Sequence, residues 1–214
     1  MQTDDLIKSL SGRTLAPVGP RFALRRIGTA LAVSATVVMA IVLTRIGLRP
    51  DLADAVFGAM FWIKLGYVVS VLIGAVWTGA ALRRPEARIP RAALLLLMPF
   101  VLMALGGFIE RAPQTPDVRM AAWLGQSWRE CPLLIAGLSL PIFGALMLAF
   151  RRFAPTRPAT TGGFLGLASG AAAAGLYSLH CPEASMAFVA TWYSLGILVA
   201  GAAGFIAGPR LLHW

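Results

Sequence analysis

The sequence predicts an all-α integral membrane protein: a bundle of six transmembrane helices with both termini in the cytoplasm. Three observations carry that expectation. Hydrophobic side chains make up 58% of the 214 residues and charged ones 13%, with a mean hydropathy of +0.75. Soluble domains sit near roughly 45–50% and about 25%. A chain this short cannot hide so much apolar surface in its own core, so lipid must cover it. The apolar residues also gather in stretches of about 20, the length that crosses a bilayer. Finally, basic residues crowd into alternate connections, the pattern of cytoplasmic loops.

The expected spans are 27–44, 57–82, 92–109, 132–150, 162–179 and 182–207, flanked by a tail of residues 1–26 and a short tail of 209–214. The first run starts too late, and ends at Thr44-Arg45-Ile46 rather than at a small-x-small site, so it reads as a span and not as a cleaved signal peptide. The second is interrupted by one charge, Lys64. The third and fourth contain Pro99 and Pro141, where a lost helix hydrogen bond predicts kinks. None of the runs alternates with period two, which argues against an outer-membrane barrel. In spans two, five and six, small residues recur every four positions: Gly66, Ser70, Gly74 and Thr78; Gly162, Gly166, Gly170, Ala174 and Ser178; Gly196, Ala200, Gly204 and Gly208. Such stripes predict backbone-close helix packing. Trp123, Trp128, Trp192 and Tyr193 read as interface or packing aromatics.

The net charge of +10 comes from 19 Lys and Arg against 9 Asp and Glu. In a soluble chain this surplus would suggest nucleic acid; here it orients the bundle. With the N-terminus inside, Lys8, Arg13, Arg21, Arg25, Arg26, Arg83, Arg84, Arg88, Arg91, Arg151, Arg152, Arg157 and Arg210 are cytoplasmic. Only Arg45, Arg49, Arg111, Arg119 and Arg129 fall outside, among most of the acidic residues. No direct nucleic-acid contact is expected, and no connection is long enough for a folded soluble domain.

Candidate chemistry is sparse. No phosphate loop, Ser/His/acid set or HExxH pattern is present, so an enzyme is not expected. Lys64 is an intramembrane charge, open to three readings: a structural partner, a snorkelling side chain, or a functional group. Cys131 stands in Glu130-Cys131-Pro132 and Cys181 in His180-Cys181-Pro182-Glu183, both on the outer side of the expected topology. The prolines place each cysteine as the N-cap of a span, where the helix dipole favours the thiolate. Glu130, His180 and Glu183 nearby supply the donors that a zinc-like or cadmium-like ion accepts. A disulfide, redox or metal sensing, and two unrelated thiols all remain open at this point. No resident cofactor is implied, only a transient heavy-metal ion at the two thiols.

The tail carries Thr3-Asp4-Asp5-Leu6-Ile7-Lys8-Ser9-Leu10, which reads as a short helix. Thr3 is the N-cap, Asp4 and Asp5 fill the first turn, and Leu6, Ile7 and Leu10 share one face. So short a helix orders only on a partner; a frayed terminus is the plain alternative.

These features together resemble the membrane anti-sigma factors of the "negative regulator of sigma F" type found in proteobacteria. The resemblance is carried by Thr3-Asp4-Asp5-Leu6-Ile7, Phe61-Trp62-Ile63-Lys64, Trp128 with Cys131, and Leu138-Ser139-Leu140-Pro141. Arg151-Arg152-Phe153-Ala154-Pro155, Leu179-His180-Cys181-Pro182-Glu183, Trp192-Tyr193 and Gly208-Pro209-Arg210 continue it. It implies a protein of the inner membrane that sequesters an extracytoplasmic-function sigma factor through its N-terminal region. It further implies that Cys131 and Cys181 serve the response to heavy-metal or oxidative stress. The rival readings are a small transporter or ion-handling protein using Lys64 and the His180/Cys181/Glu183 group, and a membrane thiol oxidoreductase, which would normally need a second cysteine pair.

Overall fold

The computed structural model describes residues 19–82, 91–153 and 155–212, and these are helical with no strand. The helices are α1 (Pro20–Ile41), α2 (Leu52–Ala55), α3 (Ala59–Ala81), α4 (Leu97–Arg111), α5 (Pro116–Leu124), α6 (Glu130–Phe150), α7 (Pro158–Tyr177), α8 (Met186–Phe188) and α9 (Ser194–Leu211). A wider turn at Val42–Ile46 extends α1, a tighter one at Arg91–Leu96 leads into α4, and another wide turn at Val189–Tyr193 joins α8 to α9.

Among the described residues five stretches are long and apolar enough to cross a membrane: Arg21–Ile46, Ala59–Ala81, Ala93–Arg111, Glu130–Phe153 and Met186–Leu211. They correspond to five of the six expected spans. The remaining one, α7, is a 20-residue helix whose glycines, alanines and threonines keep it below that apolar level. Its position accounts for its composition. Helix α7 packs against α9, α3, α6 and α1, and its buried residues lie on every side, from Thr161 and Gly162 to Ala174 and Tyr177. A helix that meets protein all round needs small side chains more than oily ones. The oily surface falls to its neighbours, where Val33, Trp77, Leu102, Phe108, Leu148 and Phe205 are exposed.

Helices α7 and α9 run antiparallel at backbone contact. A Cβ on Gly162 would collide with the Gly204 carbonyl, and one on Gly166 with the Ala200 carbonyl. The stripes of spans five and six are therefore two halves of one interface. The stripe of span two differs: Gly66 has open space around it, and Gly66, Ser70 and Gly74 line an apolar groove of about 820 Å³ between α3 and α4. Helix α3 meets α7 instead through Val68, against Gly175, and Gly79, against Phe164 and Leu165. Pro99 falls in the first turn of α4, where the missing N–H is not needed, so the kink expected there has no cause; Pro141 lies within α6 as expected.

Two arginines, Arg26 and Arg151, also close helix ends. Arg26 Nε donates to the Ala149 carbonyl at 3.0 Å and its Nη2 to the Leu148 carbonyl at 3.3 Å, at the C-terminus of α6. Arg151 Nε donates to the Leu211 carbonyl at 2.8 Å, at the end of α9. Cations there satisfy orphan carbonyls and complement the helix dipole.

Replacing Gly166 by alanine should lower stability by about 1–3 kcal/mol, because the methyl meets backbone that cannot yield. Gly137 of α6 has nothing within 4 Å of the place a methyl would take, so Gly137→Ala should be neutral or gain up to about 1 kcal/mol. Thermal unfolding of the two purified variants checks the contrast.

Candidate functional site

The chain leaves α7 at Tyr177 through a turn in which the Ser178 N–H bonds the Ala174 carbonyl at 3.0 Å and the Cys181 N–H bonds the Tyr177 carbonyl at 3.1 Å. Residues 181–185 then run without helix, as Pro182 requires of its neighbour. Ser185 caps the next helix, its Oγ accepting from the Phe188 N–H at 3.5 Å. Cys181 is therefore four residues short of the N-cap position expected for it. Cys131 is also not an N-cap. Arg129 holds that place, and Cys131 is the second residue of α6, its N–H on the Ser127 carbonyl at 2.8 Å. What brings the cysteines together is packing: both are fully buried and free, and their thiols lie within hydrogen-bond reach of one another.

A polar frame holds the 181–185 segment. Lys64 is buried rather than snorkelling; its Nζ donates to the Glu183 carbonyl at 2.6 Å and the Cys181 carbonyl at 3.4 Å, and it lies 5.3 Å from the centre of the Tyr193 ring. Arg49 Nη1 reaches the same Cys181 carbonyl at 3.3 Å, while its Nε and Nη2 grip Asp51 at 2.7 and 2.6 Å. That fork holds the Asp51 carboxyl below its usual range and raises the guanidinium further. The Arg49 N–H also bonds the Leu179 carbonyl at 3.1 Å, tying the loop after α1 to the turn after α7.

Two carboxylates complete the frame. Glu183 accepts from the Gln126 N–H at 2.7 Å and from the Ser127 hydroxyl at 3.5 Å. It packs where a side chain at residue 125 would stand, and Gly125 also has a φ of +58°, so glycine is required there twice over. Glu110, at the end of α4, accepts from Met186 N–H at 2.7 Å, Ala187 N–H at 3.4 Å and Ser185 Oγ at 3.2 Å. One turn earlier, Gly107 lets α4 touch the Ala187 backbone. The sequence did not single out Glu110 or Arg49 for these roles. The signals were a Gly106-Gly107 pair one turn before a carboxylate, and an Arg and Asp two residues apart.

The expected ligand group is only partly assembled. His180 Nδ1 pairs with the Gly47 carbonyl at 2.9 Å and its ring lies 5.6 Å from that of Tyr177. Glu130 is exposed, and Glu183 is engaged as above. Among the described residues no three His, Cys, Asp or Glu side chains converge as metal ligands. The aromatics form one cluster: Trp192 Nε1 donates to the Trp123 carbonyl at 2.9 Å, Trp123 Nε1 donates to Thr191 Oγ1 at 3.0 Å, and Trp128 stacks on Trp192 at 5.3 Å. The tail residues Asp4, Asp5, Leu6, Ile7 and Leu10 lie outside the described residues.

Residues 12–214 match the family model described as "Negative regulator of sigma F". The chain belongs to that family. Among the relatives of this negative regulator of sigma F, it is 36% identical over 217 residues to the "Probable anti-sigma-F factor NrsF" of Azospira oryzae. It is 38% identical over 219 residues to the "Anti-sigma-F factor NrsF" of Caulobacter vibrioides. Each alignment covers 100% of both chains. No solved structure matches the chain. The resemblance read from the sequence is thus borne out at the level of the family, and with it an anti-sigma role.

Glu110→Ala removes a charge-assisted cap from the helix that begins at Met186. It should cost about 1–2 kcal/mol, read as a lower unfolding midpoint at unchanged cooperativity.

Proposed function

We propose that this negative regulator of sigma F crosses the inner membrane six times with both termini inside, and sequesters an extracytoplasmic-function sigma factor through residues 1–26. Release follows when heavy-metal or oxidative stress acts on Cys131 and Cys181. The observation that carries the reading is the meeting of two thiols fifty residues apart, in one buried site, in a full-length relative of anti-sigma-F factors. A buried pair of free thiols can be joined by a two-electron oxidant, which ties the start of α6 to the segment before α8.

The topology rests on the charge distribution and on the encirclement of α7, whose low hydropathy is no obstacle to crossing when other helices face the lipid. The Arg26 and Arg151 contacts join α1, α6 and α9 at the end of the bundle assigned to the cytoplasm. The thiols sit at the other end. Signal must therefore travel the length of the bundle, and the backbone-close α7–α9 pair is rigid enough to carry a displacement rather than absorb it. Hundredfold release of the sigma factor needs about 2.7 kcal/mol of differential binding, and a cross-link is worth about that much. The transporter reading loses its main support, because Lys64 is spent on two carbonyls instead of lining a path.

Replacing both cysteines by serine should abolish stress induction of the sigma regulon in a transcriptional reporter; induction of normal size would remove the thiols from the model. Changing Leu6 and Ile7 to Asp should weaken sigma-factor binding at least about tenfold, the loss of roughly 1.4 kcal/mol. Co-purification of the sigma factor at the wild-type level would exclude the tail as the docking segment.

A further inference from the structure

We propose that Lys64 is the positioning residue that makes Cys181 the attacking sulfur of the pair and leaves Cys131 as the resolving one. The inference rests on the thiol reading above and deepens it by giving the two cysteines different roles.

The first support is an ammonium without an acid. Lys64 is 2% exposed, and among the described residues the one side-chain ion pair is Arg49–Asp51. A buried amine whose hydrogen bonds go to neutral carbonyls is held as an ammonium by an anion placed beside it. Glu183 is the nearest carboxylate in sequence to the carbonyls it grips, but that side chain is turned to the Gln126 N–H and the Ser127 hydroxyl. Beside Glu183, the acidic side chains that act on Lys64 are the two thiols, Cys181 more strongly than Cys131.

The second support is a convergence of donors on one sulfur. The Cys131 thiol and the Glu183 N–H both face Cys181 Sγ. Ser127 Oγ lies 4.0 Å from it. The Tyr193 ring is wholly enclosed beside Lys64, 5.3 Å from its Nζ, and its hydroxyl has no hydrogen-bond partner among the described residues. Lys64 and Arg49 both bind the Cys181 carbonyl, which sets two cations beside the same residue. Donors that point at a sulfur favour its thiolate. Cys131 receives neither of those two cation contacts among the described residues. The other charged or titratable groups around the site are Asp51, paired with Arg49; Tyr177; Glu130, exposed; and His180, paired with Gly47. In line with this geometry, the hydrogen bond from Cys131 and the Lys64 charge hold the Cys181 thiol below its usual range, against the burial that pushes it up.

The chemistry toward a peroxide then has an order. The Cys181 thiolate attacks one peroxide oxygen, an S–O bond forms, the O–O bond breaks, and the leaving oxygen takes a proton to become water. Cys181 is then a sulfenic acid. The Cys131 sulfur attacks the Cys181 sulfur, its proton joins the departing hydroxyl as a second water, and the disulfide forms. Two thiols are oxidised by two electrons, and one peroxide is reduced to two waters.

The test uses purified full-length protein in lipid nanodiscs, hydrogen peroxide as oxidant, and dimedone to trap sulfenic acid, with mass spectrometry to locate it. In Cys131→Ser the trapped sulfenic acid should form at Cys181. In Cys181→Ser, trapping at Cys131 should be at least about tenfold slower, one unit of thiol pKa being tenfold in thiolate. In a Cys131→Ser background, Lys64→Met should slow Cys181 trapping about tenfold at neutral pH, with the rate recovered as pH rises. Lys64→Arg keeps the cation and should retain most of the rate, whereas Glu183→Gln should not slow it. Faster trapping at Cys131 would overturn the proposal, as would a rate and pH profile unchanged by Lys64→Met. If Lys64→Met does not fold, the two single-cysteine variants and Lys64→Arg still decide. Because these are rates on purified protein, they are independent of whether the thiols control the regulon in cells. Normal induction in a double-serine strain would sink the sensing reading and leave the order of attack standing.

Discussion

Helix α7 can sit at the centre of this bundle only because it has almost no side chains where it meets α9. Gly162 and Gly166 admit the carbonyls of Gly204 and Ala200 into the space a Cβ would need. That contact fixes the height of α7 against α9, and so the distance from the last turn of α7 to the start of α8. The 178–185 segment must bridge that distance, which is why it turns once and then runs extended with Cys181 in its middle. Helix α6 packs on both members of the pair and brings Cys131 to the same place. The thiol site is thus a consequence of helix packing rather than of a local motif.

The polar frame is the second constraint. Burying a lysine, an arginine's carbonyl contacts and two carboxylate caps around one short segment is costly unless every group is answered. Here Lys64 and Arg49 take the carbonyls of Cys181 and Glu183, while the Glu183 and Glu110 side chains take backbone N–H groups from the segments on either side. Each of these bonds joins residues far apart in the chain. Moving one member strains the rest, so a small change at the sulfurs has several helices to act upon.

Much of this was legible in the amino-acid order. Composition and run length marked the five helices long and apolar enough to cross a membrane, and the four-residue stripes of α7 and α9 announced their interface. The two Cys-Pro sites pointed to a pair of residues that the fold buries in one place. What could not be read was where the charged partners would fall. Lys64 looked able to snorkel because sequence shows depth along a helix but not which neighbours face it; the fold puts the 181–185 carbonyls over it. His180 and Glu183 looked like ligands because they adjoin Cys181 in the chain, but His180 turns to the Gly47 carbonyl and Glu183 to the Gln126 N–H. The N-cap expectation failed on backbone geometry. Proline suits the first turn of a helix, but it equally suits the extended run that occurs after Cys181. The stripe on α3 was a true pattern with a different outcome, since Gly66, Ser70, Gly74 and Thr78 border the α3–α4 groove.

The central claim is that one molecule holds a sigma factor at one end and answers for it with two sulfurs at the other. Its most direct test is affinity purification of the intact protein from its native cells, before and after a peroxide pulse, with quantitative mass spectrometry of what comes with it. The account predicts an extracytoplasmic-function sigma factor in the untreated sample, and a large loss of it after the pulse together with a Cys131–Cys181 disulfide. A sigma factor retained in full while the disulfide forms would contradict it.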